Sequence, residues 1–74
     1  MGKAIYSKDH KYLIERLKKA RVEAGMEQIE VAKQLGKTQS YVSKIEIGQR
    51  RIDVVQLKEF SKIYKKDLNF FIKK

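Results

Sequence analysis

The chain has 74 residues, and a domain of this size buries only about 60% of the surface that its unfolded chain exposes, which leaves little room for a deep catalytic pocket. Cysteine is absent, which excludes disulfides, thiolate metal sites and a cysteine nucleophile. The net charge is +9, from 18 basic and 9 acidic side chains. This balance is typical of a polyanion-binding protein, with nucleic acid as the first candidate and an anionic membrane as the second.

Hydrophobic periodicity predicts a first amphipathic helix over roughly residues 9–24, with Leu13, Leu17, Ala20 and Ala24 on its inner face. The next predicted element is a short helix over residues 28–35. Glycines in the left-handed conformation commonly follow helix ends, so the glycines at 25, 36 and 48 indicate where three helices stop.

Polar side chains predict where the other helices begin. Thr38 is a good N-cap for a third short helix, whereas Glu27 is a weak N-cap for the second. Asp53 with Gln56 three residues later resembles a capping box and predicts a fourth helix that runs to about Tyr64. Asp67 is the candidate cap of a last helix, which would contain "LNFFIKK". No alternating pattern suggests strands.

Several classes of function are disfavoured by the residues present. The single histidine, His10, has no cysteine partner, and the sequence contains neither a glycine-rich phosphate loop nor an obvious pair of carboxylates. No apolar run approaches the roughly 20 residues of a membrane span. We therefore expect no enzyme, no metal or cofactor and no membrane insertion, and we expect the protein to act in the cytoplasm.

The stretch "QIEVAKQLGKTQSYVSKIEIGQRR", residues 28–51, resembles the helix-turn-helix of the Cro/CI-type, XRE-like family of bacterial and phage repressors. The positions that match the family pattern are Gln28, Ala32, Gly36, Val42, Ile45, Glu46 and Gly48. The resemblance covers roughly residues 10–72 and implies an all-α, five-helix, lambda-repressor-like domain. It places the motif at 28–47, with a recognition helix at about 39–47 that enters the DNA major groove. It thus implies a sequence-specific regulator of transcription that binds double-stranded DNA.

Candidate DNA contacts follow from which side of the third helix faces inward. If Val42 and Ile45 anchor it, Gln39, Ser40 and Lys44 face outward, and these side chains can hydrogen-bond to base edges. Lys44 as a phosphate contact remains an equal alternative. The candidate contacts to the DNA backbone are Gln28, Tyr41, Ser43, Arg50 and Arg51, of which Ser43 is equally well explained as plain surface. Glu46 would repel DNA, so we expect it to pair internally with Arg16 or Arg50.

The C-terminal segment, residues 67–74, is the candidate dimer interface. Its apolar side chains Leu68, Phe70, Phe71 and Ile72 cannot all face one side of a short helix, so part of this surface is left for a partner copy. A two-fold dimer would match a palindromic operator with half-sites one helical turn apart. The rival explanation is that both phenylalanines complete the core of the monomer.

Two other roles remain open on the sequence alone. An antitoxin that binds a toxin protein and uses DNA binding for autoregulation is the main alternative, and RNA binding is weaker because A-form RNA hides its major groove. We expect no small-molecule effector, because no second domain is evident.

Overall fold

A computed structural model of the chain describes residues 7–72. Within this range the helices are α1 (Lys8–Glu23), α2 (Gln28–Leu35), α3 (Gln39–Glu46) and α4 (Val54–Tyr64), followed by a short 3-10 helix at Leu68–Phe70. The prediction of an all-helical fold is confirmed. The predicted fifth helix is corrected to this single 3-10 turn, and residues 73–74 of that prediction lie outside the described range.

Side-chain caps explain where the helices begin. Thr38 accepts a hydrogen bond from the backbone N–H of Tyr41 at 3.2 Å, at the start of α3. Asp53 and Gln56 form the predicted reciprocal capping box, with bonds of 2.8 and 2.9 Å. Such caps satisfy backbone donors that have no partner inside the helix. Ser7 caps α1 in the same way, so α1 begins one residue earlier than predicted.

Glu27 precedes α2 and Gly48 follows α3, so these two residues bound the helix-turn-helix. Glu27 starts α2 more effectively than expected of a weak N-cap residue, because its backbone N–H donates a hydrogen bond to the carboxylate of Glu30 at 2.7 Å. Gly48 follows α3 with φ of +84°, and a Cβ added there would lie 3.0 Å from Cδ1 of Ile14. The left-handed backbone conformation favours glycine at this position, and an added Cβ would also require the end of the Ile14 side chain to shift.

The core lies between α1 and the three later helices. Its most buried side chains come from every helix and from the residue after the 3-10 turn, and each removes apolar surface from water. They are Leu17, Ala20, Val31, Ala32, Tyr41, Val42, Ile45, Leu57, Phe60, Tyr64 and Phe71. Because Val42 and Ile45 are both in this set, α3 is held with its opposite side toward solvent.

The C-terminal segment packs onto α1 and not away from the domain. Phe71 is 1% exposed and belongs to the core, which corrects its assignment to the dimer interface. The ring of Phe70 lies 3.8 Å from the guanidinium carbon of Arg16 and 4.7 Å from Nζ of Lys66. Arg16 also donates to the carbonyl of Phe70 at 2.8 Å. The alternative explanation, that both phenylalanines complete the core of the monomer, holds for Phe71, which is buried, and in part for Phe70, which is partly buried. Of the four predicted interface residues, only Ile72 is exposed.

Candidate nucleic-acid interface

The solvent-facing side of α3 is polar along its whole length. Gln39, Ser40 and Lys44 are exposed, and Ser43 between them is half-buried. A helix advances by about 100° per residue, so these four positions occupy one continuous arc opposite Val42 and Ile45. The three residues predicted to read bases therefore share an accessible face that offers hydrogen-bond donors and acceptors.

An open concavity of about 520 Å³ adjoins the N-terminal half of this face. It is lined by Gly36, Lys37, Thr38, Ser40, Tyr41, Lys44 and Arg50. Three of these side chains are cationic, and the N-terminus of α3 adds the positive end of its helix dipole. The arrangement is suited to an anion with several oxygen atoms, such as a phosphate of a nucleic-acid backbone.

Tyr41 forms one wall of this concavity and joins α3 to α4. Its ring lies 5.3 Å from Nζ of Lys37 and 4.9 Å from the guanidinium carbon of Arg50. Its hydroxyl oxygen accepts a hydrogen bond from Nε2 of Gln56 at 2.7 Å. Burial raises the pKa of Tyr41 above its ordinary value, although the positive charge of Arg50 opposes the shift. The hydroxyl therefore keeps its proton at neutral pH.

A buried ion pair supports α3 from behind. Glu46 receives hydrogen bonds from Nε and Nη2 of Arg21 at 2.7 and 3.2 Å. The expected partners Arg16 and Arg50 are wrong, because Arg16 binds Phe70 and Arg50 stacks on Tyr41. Arg16 and Arg21 are five positions apart on α1, which separates them by about 140° around the helix axis. The hydrogen bond to Glu46 raises the pKa of Arg21.

The same network reaches the recognition face through two glutamines. Gln28 donates from Nε2 to Glu46 at 3.0 Å, and its oxygen accepts from Nε2 of Gln39 at 3.5 Å. The second bond is long and therefore weak. Gln28 was predicted as a DNA backbone contact, and the structure shows that its amide also links the buried ion pair to Gln39.

The structure gathers some predicted residues and separates others. Ser40, Tyr41, Lys44 and Arg50 line the concavity together, whereas Ser43 and Arg51 are not among its lining residues. Lys37 was missed as a candidate contact, although its place just before the N-cap of α3 was a usable signal. The contact between Gln56 and Tyr41 was also missed, since Gln56 was read only as part of a cap.

A protein-family model described as helix-turn-helix matches residues 17–71, so this chain belongs to that family, of the Cro/CI-type, XRE-like kind. Its members are DNA-binding transcriptional regulators. A comparison with curated proteins gave no match. None of the helices within residues 7–72 combines the length and the apolar composition needed to cross a bilayer.

Proposed function

We propose that this protein is a sequence-specific, double-stranded DNA-binding transcriptional regulator, a repressor or controller that acts as a homodimer on a palindromic operator in the cytoplasm. The observation that carries the proposal is the exposed polar face of α3 beside a concavity with three cationic side chains. Gln39, Ser40 and Lys44 would read base edges in the major groove.

The remaining candidates would hold the DNA backbone. Arg50 and Lys37 bring charge to the concavity, Tyr41 brings a hydroxyl, and Gln28 lies at the N-terminus of α2. Ser43 and Arg51 remain in the proposed set, although neither lines the concavity. Such contacts supply affinity without sequence preference, since every phosphate is chemically alike.

Selection of bound sequences from a random duplex library tests this function, because it would return both a half-site and its spacing. If each dimer neutralises about six to eight phosphates, the logarithm of affinity should fall with the logarithm of salt concentration at a slope of roughly −5 to −7. Failure to enrich any sequence, together with a flat salt response, would contradict the proposal.

Separate variants distinguish base reading from backbone binding. Gln39→Ala should cost about 1–3 kcal/mol on the selected site and relax the preference at one base pair. Arg50→Ala should weaken binding to selected and random duplexes alike. The division of roles fails if Gln39→Ala lowers both affinities by the same factor.

The proposed dimer surface lies at the first turn of α4 and at Ile72. A groove of about 190 Å³ is lined by Asp9, Leu13, Leu57 and Ile72, together with the core residue Phe71, which is 1% exposed and offers almost no surface to a partner. Val54 is 67% exposed and lies one turn before Leu57 on α4, and Ile72 is 50% exposed, so apolar surface extends beyond the groove. The domain measures 31 × 25 × 20 Å, which suits two copies in successive major grooves about 34 Å apart.

Sedimentation of charged variants tests this surface. Val54→Glu and Ile72→Glu should each shift the protein toward monomer, and Val22→Glu is the matched control because Val22 is 60% exposed on α1. Circular dichroism must show that all three variants stay helical. A wild-type protein that stays monomeric at high micromolar concentration and binds a single half-site would exclude the dimer.

A further inference from the structure

The side chain of Gln56 makes two hydrogen bonds of opposite polarity, one within α4 and one to α3. Its Oε1 accepts from the backbone N–H of Asp53 at 2.9 Å, and its Nε2 donates to the hydroxyl oxygen of Tyr41 at 2.7 Å. The capping box leaves the amide little freedom to turn over, because a flipped amide would present Nε2 to a backbone N–H. Gln56 therefore faces Tyr41 as a donor.

The hydroxyl of Tyr41 is consequently directed to act as a donor elsewhere. Its oxygen already accepts from Gln56, and no acceptor for its own hydrogen is found among residues 7–72. The ring is held in place by burial and by the cations of Lys37 and Arg50 at 5.3 and 4.9 Å. Tyr41 and both of these cations line the same concavity. A phosphate oxygen bound there is an acceptor that fits this free hydrogen.

We propose that Gln56 is a positioning residue for DNA binding, which sets Tyr41 as a hydrogen-bond donor to a backbone phosphate in the concavity. This inference rests on the proposed function. The N-terminus of α4 lies outside the helix-turn-helix. Through Gln56 it would orient the hydroxyl with which the recognition helix contacts a phosphate.

The substitution Gln56→Glu separates the two tasks of this side chain. A glutamate at this position keeps the acceptor for the N–H of Asp53 and is favoured in capping boxes, so the start of α4 should remain intact. The introduced carboxylate has no hydrogen to donate to Tyr41. The hydroxyl of Tyr41 must then donate its own hydrogen to that carboxylate instead of to DNA. The added negative charge also weakens DNA binding, and this effect needs its own control.

A double-mutant cycle supplies that control. Affinity for the selected duplex is measured for the wild type, Gln56→Glu, Tyr41→Phe and the double variant, at one salt concentration. The charge effect is present in both backgrounds, whereas the reversal of the hydrogen bond requires the hydroxyl. We expect Gln56→Glu to weaken binding at least about tenfold more with Tyr41 than in the Tyr41→Phe background, because hydrogen bonds to charged groups are the strong ones.

Urea unfolding of the four proteins shows whether the fold is kept, and we expect Gln56→Glu to unfold at the same urea concentration as the wild type. An equal loss of affinity in both backgrounds, or no loss from Gln56→Glu, overturns the role of Gln56 while leaving the proposed function in place. A wild type that binds no duplex overturns the proposed function itself, and the positioning role with it.

Discussion

Removing Arg21 should destabilise this domain more than any exposed substitution, because it would leave a buried carboxylate without its charge partner. The side chain of Glu46 is 4% exposed, and Arg21 supplies two of its hydrogen bonds. In Arg21→Met, Gln28 is the one donor to Glu46 that remains among residues 7–72, at 3.0 Å. Methionine keeps the unbranched apolar stem of arginine but lacks the guanidinium, so it contributes neither charge nor donors.

The magnitude follows from burial. Breaking a buried ion pair by removing one partner costs about 3–5 kcal/mol. A chain of 74 residues at roughly 0.05–0.15 kcal/mol per residue has a total stability of about 4–11 kcal/mol. Arg21→Met therefore removes a large fraction of the free energy of unfolding. In a Glu46→Gln background no carboxylate is left unpaired, so the same change should cost about 2 kcal/mol less.

Urea unfolding followed by far-UV circular dichroism measures the four free energies of this cycle at neutral pH. Arg16→Met is a useful comparison, because Arg16 contacts Phe70 and forms no ion pair with a carboxylate among the described residues. The reasoning is refuted if Arg21→Met costs less than about 1 kcal/mol. It is also refuted if the cost is the same with Glu46 and with Glu46→Gln.

Three further predictions concern backbone conformation and pH. Gly48→Ala should lower the free energy of unfolding by about 1–2 kcal/mol, because Gly48 has a left-handed φ. It should cost somewhat more than Gly36→Ala, because of these two positions only Gly48 has a close neighbour for an added Cβ. Thermal unfolding of both variants measures the difference. Lys65 has φ of +56°, so Lys65→Gly should stabilise by about 1 kcal/mol, and a lower melting temperature would contradict this. The hydrogen bond from Lys66 lowers the pKa of Glu23 below its ordinary value. The stabilisation that ionised Glu23 gives to the folded protein is therefore present above the ordinary glutamate pKa and is lost as the pH falls through the lowered pKa of Glu23. Any difference in urea midpoint between the wild type and Glu23→Gln should be seen at neutral pH and vanish in acid.

The sequence by itself determined the approximate positions of α1 to α4 and the polar face of α3, because the interactions responsible are local. Thr38 caps α3 from three residues away, and Asp53 and Gln56 close their box over the same separation. Gly36 takes the left-handed conformation at its helix end. The spacing of apolar residues then sets which side of a short helix is buried, so the outward direction of Gln39 could be predicted.

Only the tertiary structure decided which distant side chains meet. Glu46 pairs with Arg21, which is 25 positions away, and nothing in the composition distinguishes Arg21 from the other arginines. Phe71 enters the core while its neighbour Phe70 stacks between cations, because adjacent side chains point in different directions and only the packing against α1 and α4 decides which of them is buried. Gln56 meets Tyr41 across two helices. Such contacts depend on crossing angles and rotamers that packing of the whole core selects, and no local pattern encodes them.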